Sequence, residues 1–244
     1  MTLIKSISGF RGTIGGKAGE GLTPTDIIAF SAAFAKFIYK NSGKDPIKIV
    51  VGRDARLSGE MLEALGNNTL VAMGVEVVSL GLSTTPTVEM AVVELKAQGG
   101  IILTASHNPK QWNALKLLNE KGEFISAAEG EELLKTIDHG DISFKTIDHL
   151  GSIITDDTQI QKHVDKILDL EFVNVDAIKE ADFKVAFDAV NSTGGISIPV
   201  LLKALGVYNI IPLFDEPSGI FPHNPEPLPE NLSTICDEVV KQKA

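Results

Sequence analysis

Short apolar runs separated by helix-length segments constrain this chain more than any other feature. Lys48-Ile49-Val50-Val51, Val75-Glu76-Val77-Val78 and Ile101-Ile102-Leu103 each read as a buried strand. The stretches between them carry helix signals. Thr23 is placed to cap a helix with Pro24 at its first position, and Ile27, Phe30, Phe34 and Phe37 follow at helical spacing until Asn41-Ser42-Gly43. Gly59 to Met73, with Ser58 as the cap, reads the same way, as does a segment opened by Thr85-Pro86 and running to about Lys96. Buried strands alternating with helices predict an α/β fold, a mainly parallel sheet with helices on both faces.

Beyond residue 110 the pattern changes. Ala114 to Leu118 and Gly122 to Ile125 flank Asn119-Glu120-Lys121-Gly122, which predicts a hairpin. Ser126-Ala127-Ala128-Glu129 is a capping-box signature for a helix through Ile137. His139 to Ser152 is polar and irregular, and the domain boundary is placed near Leu150. A second α/β unit follows: a helix over Asp156–Leu170, a strand over Lys184–Phe187, a helix over Gly195–Leu205 and a strand over Val207–Ile211. A proline-rich stretch, Pro212 to Pro229, and a helical tail close it. The expected organisation is one α/β domain over residues 1–150 and a second, incomplete one over 151–244.

Composition narrows the function classes. Of 244 residues, 43% are hydrophobic and 22% charged, an ordinary globular balance that argues against disorder. Lys and Arg number 22 against 32 Asp and Glu, and the net charge of -10 disfavours a nucleic-acid partner. An anionic small molecule needs only a local positive cluster, which Arg11, Arg53, Arg56 and Lys116 can form. Cys236 is the single cysteine, so no intrachain disulfide is possible. The N-terminus carries no secretory apolar region, and no apolar run approaches the roughly 18 residues of a membrane span. The expectation is a soluble cytoplasmic protein with no membrane partner.

The chemistry concentrates after the third strand. Thr104-Ala105-Ser106-His107-Asn108-Pro109 follows Gly100–Leu103 and turns at Asn108-Pro109. Open α/β folds keep their active sites at the carboxyl ends of such strands. Ser106 there, beside an imidazole, an amide, Lys110 and Lys116, is a nucleophilic hydroxyl suited to carrying a phosphoryl group. A Ser-His-Asp hydrolase is disfavoured, because no Gly-x-Ser-x-Gly elbow is present and His107 adjoins the serine. Gly15-Gly16 does not open a helix after a strand, and Gly43-Lys44 lacks phosphate-loop spacing, so neither reads as a nucleotide site. Arg53 and Asp54 follow the Ile49–Val51 strand and so share the sheet edge of Ser106. His107-Asn108-Pro109 recurs as His223-Asn224-Pro225, but Pro222 stands where the first copy has Ser106.

Several segments together resemble one family. Thr104–Pro109 is similar to the phosphoserine loop of the α-D-phosphohexomutases, the phosphoglucomutase/phosphomannomutase family. Ser8-Gly9-Phe10-Arg11-Gly12 resembles its N-terminal arginine loop, Gly52–Gly59 its Gly-Arg-Asp-x-Arg-x-Ser-Gly segment, and Asn113–Lys116 its Asn-Gly-x-Lys. Phe187–Gly195 and Pro225–Leu232 resemble second-domain signatures. The resemblance implies two consecutive domains of the phosphohexomutase type and interconversion of hexose 1- and 6-phosphates through a 1,6-bisphosphate.

It implies catalytic roles for Ser106 as phosphoserine, Lys116 as general base and Arg11 beside them. A lysine serves as base only where burial or a neighbouring cation lowers its pKa. His107 and Asn108 are expected to hold the serine loop and its phosphate by hydrogen bonds; Arg53 is a phosphate-loop candidate from its place at the same sheet edge, with shaping of the loop beside Asp54 as its other reading. The resemblance implies Mg2+ held through a phosphate oxygen on Ser106 and through carboxylates that do not occur in these residues. A glucose 1,6-bisphosphate-type activator belongs to the same picture. Partners implied are a hexose phosphate and the family's C-terminal domains, without which an N-terminal portion is expected to be inactive. One departure is Ala114, where the family frequently has glycine. The alternative readings are phosphoglucosamine mutase and a non-catalytic sugar-phosphate-binding protein.

Overall fold

A computed structural model describes residues 1–6, 9–140 and 142–244. Ser8, at the start of the expected arginine loop, lies outside the described residues. The chain divides into two compact units. One comprises Met1–Arg53, Ser58–Ala105 and Gln111–Asp157, and the other Asp54–Leu57, Ser106–Lys110 and Thr158–Ala244.

The first unit is built on a seven-stranded sheet. Its strands are β1 (Leu3–Ser6), β2 (Gly9–Thr13), β3 (Lys48–Arg53), β4 (Glu76–Leu82), β5 (Gly99–Leu103), β6 (Trp112–Leu118) and β7 (Ser152–Thr155). Their order across the sheet is β1-β2-β6-β5-β3-β4-β7. β3 pairs in parallel with β4 and β5, and β4 with β7. The pairings β5–β6, β6–β2 and β2–β1 are antiparallel. The sheet is therefore mixed: β5-β3-β4-β7 pair in parallel, as the alternation predicts, and β1-β2-β6-β5 pair antiparallel. The expected hairpin partner of β6 does not form a strand. Phe124 makes a single bridge to Leu118, and β6 pairs instead with β5 and β2. Leu115 and Leu117 of β6 share a core with Ile101 and Leu103 of β5, and Leu118 shares the other with Ile102.

Helices α1 (Pro24–Ser42), α2 (Gly59–Ala72), α3 (Thr85–Glu94) and α4 (Ala127–His139) cover the sheet. Strand side chains alternate between two cores. Ile49, Val51, Ile101 and Leu103 face one core with Phe30, Phe34, Leu62 and Leu133 from α1, α2 and α4. Val50 and Ile102 face the other with Val88 and Val92 from α3. One face thus carries three helices and the other one.

Helix ends follow their local chemistry. The Asp26 carboxylate accepts hydrogen bonds from the Thr23 amide at 3.0 Å and from the Thr23 hydroxyl, and Gly43 ends α1 in the left-handed region at φ 63°. Ser126 and Glu129 form the reciprocal bonds of the expected capping box at the start of α4. Ser58 does not cap α2 as expected. Its hydroxyl accepts from Asn113 Nδ2 at 2.9 Å, a partner 55 residues away. Among the described residues, no helix is long and apolar enough to cross a membrane.

The second unit contains α5 (Gln159–Leu168), α6 (Val175–Glu180), β8 (Lys184–Asp188), α7 (Gly194–Ala204), β9 (Asn209–Leu213) and α8 (Ser233–Gln242). β8 and β9 pair in parallel across the α7 connection. This is the strand–helix–strand unit read from the sequence, with the short helix α6 added.

Phe10 of β2 stacks on Phe30 of α1, with ring centroids 3.8 Å apart and planes 13° from parallel. Both rings are buried. Phe30→Ala removes one ring and leaves a cavity under β2, so it is expected to destabilise the first unit by about 3–5 kcal/mol in urea denaturation.

Candidate active site

The single helix on one face of the sheet leaves room for chemistry there. Cross-strand partners share a face. Lys116 lies opposite Ile102 of β5 and Gly9 of β2, and Arg11 lies opposite Ala114 of β6. Residues two apart on β6 also share a face, so Arg11, Ala114 and Lys116 stand together on the α3 side of the sheet. They line a cavity of about 160 Å³ with Ile4, Ser6 and Gly9. Arg11 is exposed and its guanidinium lies 5.9 Å from the Trp112 ring. Lys116 is half-buried, with its ammonium 5.8 Å from the Phe124 ring. Burial pushes the Glu89 carboxyl on α3 upward, and the Lys116 charge pulls it back only in part. Ala114, 3% exposed, lies opposite Arg11 and two residues before Lys116.

Gly9 makes this spacing possible. Its φ is 130°, and a Cβ there would lie 2.1 Å from the Leu115 carbonyl oxygen. Only glycine lets β2 approach β6 this closely. On β6, Asn113 is fully buried; its side-chain Oδ1 accepts from the Ala114 amide at 2.8 Å, and its Nδ2 donates to the Ser58 hydroxyl.

Ser106 follows β5, two residues past Thr104, whose amide donates to the Ala114 carbonyl at 3.1 Å. Ser106 is exposed and takes a left-handed backbone, φ 53°, which is uncommon for a residue other than glycine and collects at functional sites. His107 is exposed and Asn108 half-buried. The loop is held by Arg56, which the sequence places in a positive cluster and in the Gly52–Gly59 segment without giving it a role. Arg56 is 2% exposed. Its guanidinium donates to the carbonyls of Ser106 at 2.9 Å, Asn108 at 2.6 Å and Pro109 at 2.9 Å. Its Nε reaches Asp54 Oδ2 at 3.1 Å, and Asp54 Oδ1 accepts from the Arg56 amide at 2.9 Å. The Phe221 ring lies 5.0 Å from the guanidinium carbon. Burial lowers the Arg56 pKa, and Asp54 works against that shift.

Arg53, expected at the phosphate loop, ends β3 with its side chain turned to α2. Its Nε meets Glu63 at 2.7 Å and a terminal nitrogen meets Glu60 at 3.4 Å. The other Glu63 oxygen accepts from Ser79 at 2.6 Å. The structure therefore brings Arg11 and Lys116 to one cavity in the first unit. It groups Ser106, His107 and Asn108 with Arg56 in the second.

Two family models cover most of the chain. Residues 4–143 match "Phosphoglucomutase/phosphomannomutase, alpha/beta/alpha domain I" and residues 161–244 match the corresponding domain II. This chain belongs to the phosphoglucomutase/phosphomannomutase family. A probable phosphoglucosamine mutase of Methanopyrus kandleri is 34% identical over 227 residues, covering 93% of this chain and 47% of the relative. A phosphoglucomutase/phosphomannomutase of Thermococcus kodakarensis is 33% identical over 233 residues, covering 94% of this chain and 50% of the relative. The crystal structure of a family protein from Burkholderia thailandensis superimposes with a TM-score of 0.80 at 27% identity, over 99% of this chain and 50% of that one. The chain thus spans about half the length of the curated relatives it matches.

In the second unit the echo of the serine motif has a different task. His223 Nε2 lies 2.9 Å from Asp188 Oδ2, and Nδ1 lies 2.9 Å from the Asn224 carbonyl. Asp188 Oδ1 accepts from the Val190 amide at 2.8 Å and so braces a turn in which Val190 and Asn191 are both left-handed. Burial pulls the His223 pKa down, but the Asn224 carbonyl and Asp188 outweigh it, and the net direction is upward. A histidine whose folded pKa is raised contributes stability that is complete below its ordinary value near 6.5 and is lost as pH rises through the folded value. The urea midpoint of the second unit is expected to fall between pH 6.5 and alkaline pH. His223→Asn should flatten that fall, and an unchanged pH profile in the variant would refute the assignment.

Proposed function

We propose that this chain supplies the phosphoserine-bearing part of a phosphohexomutase that interconverts hexose 1-phosphate and hexose 6-phosphate, with glucose and mannose as its sugars. The observation that carries the reading is Ser106: an exposed hydroxyl on left-handed backbone, in a loop braced by a buried arginine, in a chain of this family. Ser106 carries the phosphoryl group. Lys116 takes the proton from the attacking 6-hydroxyl of a hexose 1-phosphate. A bond forms between that oxygen and phosphorus while the bond from phosphorus to Ser106 Oγ breaks, giving a 1,6-bisphosphate. The intermediate turns over, its 1-phosphoryl group returns to Ser106, and hexose 6-phosphate leaves. In this reading Arg11 is the cation that offsets the charge gathering on the phosphoryl oxygens. A 1,6-bisphosphate activator phosphorylates any Ser106 that has lost its group.

Among the described residues, no three His, Cys, Asp or Glu side chains converge on a point that would hold a metal ion. A magnesium site would draw on this chain through a phosphate on Ser106. The relatives include proteins named for glucosamine as well as for glucose and mannose, at similar identity. The sugar is therefore an outcome of the test.

The full open reading frame, supplied with magnesium and a bisphosphate activator, is expected to turn over glucose or mannose 1-phosphate in a coupled assay. Turnover of glucosamine 1-phosphate alone would replace the proposed sugars, and turnover of none would overturn the enzyme reading. Ser106→Ala should abolish activity, and Lys116→Met should lower kcat by about 10²–10⁴, the usual worth of a general base.

A further inference from the structure

Arg56 does more than fill the floor of the serine loop. It is fully buried, and its guanidinium collects three carbonyls from one short loop, those of Ser106, Asn108 and Pro109. A trans peptide is planar, with its C=O and the following N–H pointing in opposite directions. The one cis peptide among the described residues is Asp45–Pro46, outside this loop. Turning the Ser106 carbonyl inward therefore turns the His107 amide outward. Turning the Pro109 carbonyl inward does the same for the Lys110 amide. The carbonyl of Asn108 leads into Pro109, which has no amide hydrogen to direct. Ser106, His107 and Lys110 are all exposed. The His107 and Lys110 amides donate no hydrogen bond among the described residues.

We propose that Arg56 is a positioning residue for phosphoryl transfer: by drawing three carbonyls to the buried side, it presents the His107 and Lys110 amides as donors to a phosphate on Ser106. The proposal rests on the phosphoserine reading and adds to it the group that shapes the loop. Three inward carbonyls need a planar fork of donors. A lysine in place of Arg56 keeps the charge but cannot reach all three. Asp54 fixes the fork by taking Nε, and Phe221 covers its face.

The test uses the 244-residue chain with phosphoserine installed at position 106 during translation, so it does not depend on mutase turnover. Nitrogen-resolved proton NMR at fixed pH, with no metal added, compares the His107 and Lys110 amides between the unmodified chain and the phosphoserine form. In the native background both amides are expected to move downfield on phosphorylation, as amides do on donating to a charged oxygen. In Arg56→Lys and Arg56→Met, each checked for an unchanged thermal melt, that movement should shrink. Amides that do not move in the native background overturn the proposal. A movement that both variants share in full overturns the role of Arg56 while leaving the amides as donors. If neither variant folds, Asp54→Asn, which releases the Nε end of the fork, takes their place, and an undiminished movement there overturns the role of the fork. A mutase-negative full-length protein whose amides move would remove the enzymatic reading and keep the contact between amides and phosphate.

Discussion

Strand β5 is the piece on which the first unit depends. It runs parallel to β3 on one side and antiparallel to β6 on the other, so the sheet changes character along its length. Its five residues are all buried, and they alternate between the two cores. The ladder to β3 sets the ends of both strands level, Arg53 opposite Leu103, so the loops that follow leave the sheet side by side. The ladder to β6 fixes Lys116 opposite Ile102. One central strand thus fixes where the serine loop leaves the sheet and which face the lysine occupies.

The parallel half of this arrangement is legible in the sequence because buried strands there are nearly pure apolar runs. Val50 and Val51 need no local polar pattern, since both faces are covered. Of the antiparallel end only β6 is legible, as the run from Ala114 to Leu118. Gly9-Phe10-Arg11-Gly12-Thr13 has two glycines and one charged residue in five positions, and of its two pairing partners β6 lies about a hundred residues away. β7 escapes notice for a related reason. It is a four-residue edge strand with every side chain exposed, so burial leaves no imprint on its composition.

The site divides along the same line. Ser106 is legible because a short run of small and polar residues breaks an apolar strand. Arg56 is legible as a positive charge within the Gly52–Gly59 segment but not as the brace of the serine loop, because its partners are backbone carbonyls 50 to 53 residues away. Arg53 shows the converse. A local Arg-Asp pair suggests a loop contact, yet the stronger electrostatic partner is Glu63, on the helix that follows. Ser58 looks like a helix cap until the long-range Asn113 amide claims its oxygen. In each case a contact between distant segments outweighs the local motif.

The closeness of β2 and β6 carries a consequence for how this chain tolerates change. The cleft between Arg11 and Lys116 is framed by backbone, and its width is set by the missing side chain at Gly9 and the single methyl at Ala114. Variation at position 9 is closed to any residue with a Cβ, whereas position 114 can exchange a methyl for a hydrogen without moving either strand. Drift among descendants of this sequence should therefore be visible at 114 and silent at 9, with the floor of the cleft deepening or rising by one carbon while its walls stay fixed.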